Sequence, residues 1–336
     1  MFDILNDNVF DNERNMLNAD LFVSNLRNTL KGFKFNTKIT YEVYRNITIY
    51  YISWNDDKSY DDIVSLKREI ALALGIRSDD LDIVKISDNR VKIVVLNMKR
   101  GSLSLKELLS EAKDSNGVLI PLGMTLTDEV IYFDIDRDKN LLVSGVSGIG
   151  KTNLFNNIIL NILMYKSARV IVLDSTHVNY NCYDDVLEVV NDEKMIVDMI
   201  RRIRCEFEER VRNNIRDRIV LFIDEVYEIL KFDNSIIDDI NYLLEVGSMM
   251  NIHVIMSTDS VLDEDVSYLF DKDDISKLCF YLTSRSEYNR FLDQYVDENL
   301  GRDGMYVSTN SNLTRISVPL IDDDELERVI EYLKVN

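Results

Sequence analysis

The sequence predicts an α/β protein in which a parallel sheet flanked by helices follows a smaller α+β domain. Short β-branched runs alternate with longer helical stretches between residues 121 and 320, which is the rhythm of βαβ units. Before them, apolar residues alternate along 39–51 in two stretches, the pattern of a β-hairpin. A chain of 336 residues is long enough for two domains of ordinary size.

The first 120 residues predict two segments. Residues 1–35 are rich in asparagine and only weakly periodic, so we expect a helical lead-in there. Residues 36–120 predict the small α+β domain. Its expected elements are a hairpin turning at Arg45-Asn46, a helix from the Ser59 cap to Gly75, strands at 83–86 and 91–96, and a short helix with a Ser104/Glu107 capping box.

Residues 121–336 predict the larger domain, which carries the parallel sheet. The predicted strands are 141–144, 169–173, 219–223, 252–256 and 279–282. A hairpin of 305–307 with 315–318, turning at 309–312, and a final helix opening at Asp322-Asp323-Asp324 are expected to close the domain.

A complete GxxxxGK[ST] phosphate-binding loop lies between the first of these strands and an apolar helix. Its members are Gly145, Val146, Ser147, Gly148, Ile149, Gly150, Lys151 and Thr152. The glycines let successive N–H groups face phosphate oxygens, and the helix N-terminus adds its positive dipole end. We expect Lys151 to reach the β- and γ-phosphates and the Thr152 hydroxyl to hold Mg²⁺. The motif therefore predicts a site for ATP and Mg²⁺.

A second motif follows the apolar run 219–223, which ends in Asp224-Glu225. At the end of a buried parallel strand, Asp224 is expected to support Mg²⁺ through water. Glu225 is expected to act as the general base that polarises the attacking water. The alternative is an acidic pair that only begins the next helix. The two motifs together predict an ATPase.

Composition argues against several other classes of protein. Two histidines and three widely separated cysteines speak against a zinc cluster or a histidine-based triad and predict reduced thiols. The sequence has no run of 18 apolar residues and no signal-peptide pattern at its start, so we expect a cytoplasmic protein without a membrane span. The net charge of −20 argues against nonspecific nucleic-acid binding over the whole surface, although it is compatible with a local basic channel.

Several short segments occur in the order found in the FtsK/SpoIIIE family of DNA-translocase motors, and the chain resembles that family from about residue 36 to its C-terminus. The segments that resemble family motifs are Asp174 to Tyr183, Glu206 to Arg210, Gly247 to His253, Ser257-Thr258, Leu292 to Gln294, Leu300 to Arg302 with Met305-Tyr306, and Asp323 to Glu325. Each segment is a weak signal alone, and their order and spacing carry the resemblance.

The resemblance implies a RecA-like P-loop domain at 121–336 and the family's small subdomain at 36–120. It also implies homo-oligomeric, hexameric rings that hydrolyse ATP and pull double-stranded DNA through a central pore, with Thr258 sensing the γ-phosphate. The family's membrane anchor and C-terminal winged helix have no counterpart in this sequence. We therefore expect neither septal attachment nor sequence-directed loading from this chain.

Two single-residue departures from the family pattern bear on hydrolysis. Ser248 stands where the family has an arginine that is expected to help complete a neighbouring subunit's nucleotide site. Arg285, Arg290 and Arg302 are candidate substitutes, or hydrolysis is slow. Asp259 replaces a glutamine sensor, and an additional carboxylate near phosphates is unfavourable unless a cation intervenes.

A third departure lies in the segment that matches the family's DNA-facing loops. Residues 263–274 carry six acids and one lysine, whereas surfaces that track phosphates need Lys, Arg or backbone N–H donors. The segment is therefore an acidic loop outside the pore, or DNA is held elsewhere, or the substrate is not bare DNA.

The basic residues concentrate between 201 and 218, where seven arginines alternate with acids. The i,i+4 pairs Arg204–Glu208, Glu206–Arg210 and Glu208–Arg212 predict a solvated, salt-bridged helix. Contact with a neighbouring subunit or another partner, and contact with nucleic acid, are the alternatives.

Two hypotheses of function follow. The first is a ring-forming, ATP-driven translocase on double-stranded DNA, in which Lys151, Thr152, Asp224, Glu225 and Thr258 form the nucleotide site. The second is a nucleotide-dependent coupling or assembly ATPase that acts on a protein partner and binds DNA weakly or not at all. The acidic segment and Ser248 favour the second hypothesis, and the extent of the resemblance favours the first.

Overall fold

The structure, a computed structural model, describes residues 4–6, 12–97, 101–112, 118–177, 179–270, 275–293, 304–307 and 313–335. The chain divides into two compact units. The first contains Met1–Asp7, Leu103–Thr125 and Val130–Asn336, and the second contains Asn8–Ser102 and Leu126–Glu129. The units divide the chain differently from the predicted segments, since the lead-in lies mostly in the second unit and residues 103–120 lie in the first.

The second unit is a four-stranded antiparallel sheet with helices on one face. Its elements are α1 Asn12–Gly32, β1 Thr37–Val43, β2 Ile47–Trp54, α2 Tyr60–Ser65, α3 Lys67–Leu74, β3 Leu81–Ser87 and β4 Arg90–Leu96, and the strand order is β1-β2-β4-β3. Ser59 forms a capping box with Asp62, and Gly75 ends α3 in the left-handed conformation. The helix predicted over this stretch is two helices, because the chain leaves helical geometry at Leu66.

The first unit contains the larger sheet. Its elements up to the middle of the sheet are α4 Leu105–Glu111, β5 Leu119–Met124, β6 Val130–Asp134, α5 Ile135–Asp138, β7 Leu141–Ser144, α6 Lys151–Tyr165, β8 Arg169–Asp174, β9 Glu188–Val190, α7 Glu193–Asn213 and β10 Ile219–Asp224. The remaining elements are α8 Val226–Phe232, α9 Ile237–Val246, β11 Ile252–Thr258, α10 Glu264–Phe270, β12 Ser276–Cys279, α11 Arg285–Leu292, β13 Gly304–Val307, β14 Thr314–Ile316 and α12 Asp323–Val335.

The strand order of the larger sheet is β14-β13-β12-β7-β11-β10-β8-β9. The six strands from β12 to β9 are parallel, whereas β13 and β14 are antiparallel. The central strands are buried on both faces, since β7, β10 and β11 contain only buried residues. The predicted α/β fold, a parallel sheet flanked by helices with a small α+β part, is confirmed.

One predicted strand is displaced along the chain. The apolar run 279–282 was expected to form it, but β12 pairs with β7 through Ser276 to Cys279. Phe280 still donates its N–H to the Ser144 carbonyl, and Tyr281 accepts from Val146 in the phosphate-binding loop. The end of the apolar run therefore supports the loop, while buried Ser276 and Lys277 begin the strand.

The C-terminal hairpin forms between β13 and β14, and its predicted turn at 309–312 lies outside the described residues. The short edge strand β9 had no periodic signal and was not predicted. Among the described helices, none is both long enough and apolar enough to cross a bilayer.

Candidate active site

The predicted site residues are brought together by the strand order. In a parallel sheet all carboxyl ends lie at one edge, where open α/β folds bind their ligands. Strand β7 leads into the phosphate-binding loop, and β11 lies between β7 and β10. Thr258 pairs with Ser144 at the ends of their strands, and Asp224 ends β10 one strand away. The loop, Thr258 and the acidic pair therefore share one edge.

The loop has the backbone conformation that phosphate binding requires. Gly148 and Gly150 have φ of 74° and 126°, and a Cβ at either position would meet no atom within 4 Å. The loop is anchored to β11 and to the segment that follows β12, because Gly145 donates to the Thr258 carbonyl at 3.3 Å and Val146 donates to the Tyr281 carbonyl at 3.0 Å. Helix α6 begins at Lys151, so the first N–H groups of the helix face the loop without intrahelical partners.

Lys151 connects the loop to the acidic pair. Its Nζ lies 2.6 Å from the Gly145 carbonyl oxygen and 2.8 Å from Glu225 Oε1, with the lysine 5% and the glutamate 15% exposed. A buried lysine needs such partners, because its charge has little contact with water. The predicted phosphate-binding cation and the predicted base thus form one buried ion pair.

Glu225 is held in an unusual conformation. Its φ of 54° places a non-glycine residue in the left-handed region, which is costly and is found mainly at functional sites. Its N–H donates to Ser257 Oγ at 2.9 Å, and its Oε2 accepts the Asp259 N–H at 3.0 Å. Burial raises the pKa of Glu225, Lys151 opposes that shift, and the charges of Asp259 and Asp224 add to it.

Asp224 is almost fully buried, at 1% exposure. Its Oδ1 accepts from Ser257 Oγ at 2.6 Å, and its Oδ2 accepts from Asn179 Nδ2 at 3.2 Å. Burial raises the pKa of Asp224, whereas these two hydrogen bonds favour the ionised form and the charge of Asp174 opposes it. Ser257 therefore links the two members of the acidic pair, since it donates to one and accepts from the other.

Ser257 and Asn179 lie in the site, although the sequence predicts no role for either residue. Ser257 directly precedes Thr258 at the end of a buried strand. Two polar residues at that position are the sequence signal that could have indicated a role for Ser257. Asn179 follows β8, which is the neighbour of β10, and Asp174 pairs with Asp224 in register. Asp174 in turn accepts the N–H groups of Thr176 and Asn179 at 3.0 and 2.9 Å, which fixes the loop that carries Asn179.

The two hydroxyl-bearing residues predicted for the site lie beside the loop. Thr258 is buried, and its Oγ1 accepts the Ser260 N–H at 3.0 Å, so its hydroxyl hydrogen is left to donate. Thr152 follows Lys151 in the first turn of α6 and is half-buried. Ser147 and Ile149 complete the loop, and Ile149 donates its N–H to the Val146 carbonyl at 3.3 Å.

These residues fit ATP and Mg²⁺. The open space beside Gly148 and Gly150 leaves room for phosphate against the backbone. Thr152 and Asp224 are the residues that would hold Mg²⁺, since hydroxyl and carboxylate oxygens are the donors that this ion prefers. The fold and the site together define a P-loop ATPase.

Comparison with known proteins assigns the family. The FtsK/SpoIIIE family matches residues 94–275, and this chain belongs to it. DNA translocase FtsK of Bacillus cereus is 26% identical over 361 residues, covering 94% of this chain and 45% of that protein. DNA translocase SpoIIIE of Bacillus subtilis is 23% identical over 359 residues, covering 92% and 44%. The chain thus spans less than half the length of these relatives.

Solved structures share the fold at low sequence identity. The pCW3 conjugation coupling protein TcpA, in its monomer form with ATPγS, is similar with a TM-score of 0.61 and 13% identity, covering 92% of this chain and 98% of that one. The cytoplasmic domain of the type VII secretion ATPase EccC from Thermomonospora curvata has a TM-score of 0.58 and 14% identity, covering 69% and 34%.

The residues that depart from the family pattern lie in different places. Ser248 lies in a 3₁₀ turn directly before β11, at the amino edge of the sheet and away from the chain's own loop. Arg285 begins α11 on the carboxyl side of β12, and Arg290 donates to Ser267 Oγ at 3.3 Å. Arg302 lies outside the described residues.

The acidic segment is only partly the loop that was expected. Asp263 precedes α10, residues 264–270 form that helix, and 271–274 lie outside the described residues. Asp263 accepts the N–H groups of Asp265 and Val266 at 3.1 Å each, which is the hydrogen bonding of a helix cap. Asp263, Glu264 and Asp265 therefore have a structural reason to be acidic, since they lie at the positive end of α10.

The basic segment forms most of α7 and the turn that follows it. Arg204 and Arg210 pair with Glu208 and Glu206 at 2.9 Å, which confirms two of the three predicted pairs. Arg212 instead donates to the Glu208 carbonyl at 3.2 Å.

Proposed function

We propose that this chain is the motor part of a ring-forming translocase that hydrolyses ATP and moves double-stranded DNA through a hexameric, homo-oligomeric assembly in the cytoplasm. One observation carries the proposal: Lys151, Asp224 and Glu225 lie together at the carboxyl edge of the sheet, within the region that matches the family. The unpaired state of all three cysteines supports a reducing compartment.

In the proposed mechanism Lys151 changes partners when ATP binds. Its hydrogen bonds to the Gly145 carbonyl and to Glu225 would be exchanged for bonds to the β- and γ-phosphate oxygens. That exchange releases the Glu225 carboxylate, which would then orient a water and accept its proton during attack on the γ-phosphorus. Thr152 and Asp224 would hold Mg²⁺, whose positive charge would stabilise the negative charge that develops on the phosphate oxygens.

Two neighbouring groups keep Glu225 in place after the lysine leaves. The Asp259 N–H and the Ser257 hydroxyl hold its carboxylate and its backbone, respectively. The Thr258 hydroxyl would donate a hydrogen bond to the γ-phosphate and so connect the γ-phosphate to the end of β11. These contacts place the base before the reaction begins, which lowers the reorganisation required in the transition state.

A second candidate function is supported by the charge of the carboxyl edge. The acids of 263–265 and Asp259 lie there, and an acidic surface repels DNA phosphates. The chain would then be an ATPase that couples nucleotide binding to a protein partner. TcpA, which shares the fold over nearly its whole length, is described as a conjugation coupling protein.

The ATPase rate with and without linear duplex DNA separates the two functions. A translocase should be stimulated several-fold at about 50 mM salt, and the stimulation should fade at about 200 mM because phosphate contacts weaken. A rate that is indifferent to DNA at both salt concentrations, with ATP still bound, contradicts translocation and supports the protein-coupling function.

The role proposed for Glu225 is tested by Glu225→Gln. The amide keeps the size of the side chain but cannot accept a proton, so ATP should bind while turnover falls by about 10²-fold or more. Single-turnover hydrolysis and equilibrium nucleotide binding measure the two effects separately. Glu228→Gln is the matched control, since Glu228 is on the helix that directly follows Glu225 and pairs with Lys231 on the surface. Hydrolysis at the normal rate by the Glu225 variant would refute the assignment.

A further inference from the structure

A tyrosine hydroxyl is buried beside the acidic pair without a hydrogen-bond partner. Tyr180 is 0% exposed and belongs to the core cluster that contains the buried side chains of α6. Its Oη has no hydrogen-bond partner among the residues that the structure describes. Burial raises the pKa of this hydroxyl well above its usual value, so it keeps a hydrogen to donate. An unpaired buried hydroxyl is unfavourable, and such groups in folded proteins often mark a functional contact.

The unpaired hydroxyl lies near the carboxylate of Asp224. After burial, the charges of Asp224 and Asp174 are the largest causes of the raised pKa of Tyr180. Tyr180 in turn lowers the pKa of Asp224, although less than Ser257 and Asn179 do. The hydroxyl and the Asp224 carboxylate are therefore close enough to influence each other, but they do not form a hydrogen bond of ordinary geometry.

The loop that carries Tyr180 contacts Asp224 at two further points. Ser175 Oγ donates to the Asp224 carbonyl at 2.9 Å, and Asn179 Nδ2 donates to its Oδ2 at 3.2 Å. The Tyr180 ring packs against Tyr183, with 6.5 Å between the ring centroids, and its carbonyl accepts the Tyr183 N–H at 2.9 Å. Packing and backbone contacts therefore hold Tyr180 beside Asp224 without any hydrogen bond from its own hydroxyl.

The Asp224 carboxylate can accept another hydrogen bond. Its two oxygens offer about four lone-pair sites, of which Ser257 Oγ and Asn179 Nδ2 occupy two. Mg²⁺ supported by Asp224 would use a third, which leaves one site for a further donor. A carboxylate that supports a cation is normally oriented by such hydrogen bonds, and their loss costs about 10–100-fold in metal affinity.

We infer that Tyr180 is a positioning residue of the Mg²⁺ site, and that its hydroxyl donates to the Asp224 carboxylate when ATP and Mg²⁺ are bound. In the arrangement that the structure shows, with Lys151 bonded to Glu225, the hydroxyl is unpaired. A hydrogen bond that forms only in the bound arrangement adds to the affinity for the cation. This role deepens the proposed function and rests on its site for ATP and Mg²⁺, not on its ring or its DNA.

The role of the hydroxyl is tested by Tyr180→Phe, which removes the hydroxyl and keeps the ring. Calorimetric titration with ATPγS, in EDTA and at a series of Mg²⁺ concentrations, measures nucleotide affinity with and without the cation. Affinity in EDTA should match the wild type, because the phosphate-binding loop is unchanged. The Mg²⁺ concentration that gives half of the gain in affinity should rise about 10-fold, because Asp224 loses a group that orients it.

Stability without nucleotide separates positioning from packing. Tyr180→Phe should keep the wild-type urea midpoint or raise it, because the variant removes a buried hydroxyl that has no partner. Tyr183→Phe is the matched control, since its hydroxyl is equally buried but donates to Asn156 Oδ1 at 3.2 Å. The control should lower the urea midpoint, because it leaves a buried acceptor unpaired, and it should keep the wild-type dependence on Mg²⁺.

The possible results separate this role from the proposed function. An unchanged dependence on Mg²⁺ in Tyr180→Phe would overturn the role of Tyr180. A fall in urea midpoint as large as that of Tyr183→Phe, or failure to fold, would also overturn it, because the hydroxyl would then be structural. These results leave the proposed ATPase intact if Mg²⁺ strengthens ATPγS binding to the wild type. A wild-type chain whose ATPγS binding ignores Mg²⁺ would overturn the proposed ATP and Mg²⁺ site and the role of Tyr180 together.

Discussion

Opposing charges act on Glu225. Lys151 lies 2.8 Å from its carboxylate, while burial and the charges of Asp259 and Asp224 raise its pKa. Lys151 lowers the pKa of the carboxyl group while it lies near, so the carboxylate becomes more basic when the lysine turns to phosphate. A group whose basicity rises when substrate binds is suited to accept a proton at that moment.

Removing the charge of Asp259 should therefore change the pH dependence of hydrolysis. Asp259→Asn keeps the backbone N–H that binds Glu225 but deletes a charge that raises the pKa of Glu225. The pKa of Glu225 should fall, and because the base works in its ionised form, the acid limb of the kcat/KM profile should move to lower pH.

The matched control for this change is Glu264→Gln. It removes an exposed acid from the same edge that is not among the main causes of the pKa shift of Glu225, so its acid limb should stay where the wild type has it. An unmoved or upward-shifted limb in Asp259→Asn would mean that another group controls the profile.

The residues of the site also show which part of it can be predicted from the sequence and which part cannot. Lys151, Asp224 and Glu225 follow from local motifs, because each motif includes the strand that positions it. Ser257 and Asn179 act through neighbouring strands. Their roles depend on the order of the strands in the sheet, in which β11 lies between β7 and β10 and β8 lies beside β10. A local sequence pattern does not predict that order.

Elements were predictable where a periodic pattern and a stop signal coincide. Strand β7 has the predicted bounds, and β10 and β11 extend beyond them by one and two residues. Prediction failed for α10, because its segment matches the family's DNA-facing loops and a loop was therefore expected. Its acidic first turn is instead stabilising at the start of a helix. Strand β12 begins with buried Ser276 and Lys277, which do not resemble a core strand.

The phosphate-binding loop makes a prediction at the scale of an element. A Cβ at Gly145 would lie 2.8 Å from Phe280 Cβ and 2.9 Å from Ile149 Cγ2. Phe280 Cβ is fixed by its backbone, so Gly145→Ala should displace the loop. We expect weaker ATP binding and a loss of about 1–3 kcal/mol in the free energy of unfolding, measured by nucleotide titration and urea denaturation.

Gly32→Ala is the control for this substitution, since a Cβ there would meet nothing within 4 Å. It should leave ATP affinity unchanged. If Gly145→Ala bound ATP as tightly as the wild type, the close approach of the loop to Phe280 would not matter for the site.

At the scale of the whole molecule, basic and acidic residues are unevenly distributed along the larger sheet. Arg201, Arg204, Arg210 and Arg218 lie on or after α7 and pair with acids. Asp259 and the acids of 263–265 lie instead beside the nucleotide site. Net charge alone therefore says little about where a polyanion would bind. The DNA path of the proposed translocase would have to follow local basic surfaces, because the overall field repels DNA.

The first unit is closed by contacts between segments at opposite ends of the sequence. Leu5 is 4% exposed and belongs to the same core cluster as Leu326 and Val329 of α12. Asn6 donates its N–H to Glu325 Oε1 at 2.8 Å and accepts from Arg328 at 2.7 Å. The sequence does not predict this role for residues 4–6, because an isolated apolar residue carries no periodicity.

Leu5→Ala should therefore destabilise the ATPase unit although it lies far along the chain from the nucleotide site. Removal of a buried leucine side chain costs about 2–5 kcal/mol, so ATP hydrolysis should be lost at lower urea than in the wild type, together with the circular dichroism signal. Leu17→Ala, which removes a leucine that is 71% exposed, should change the free energy of unfolding by no more than about 0.5 kcal/mol. Equal urea midpoints for the two variants would show that residues 4–6 do not support this unit.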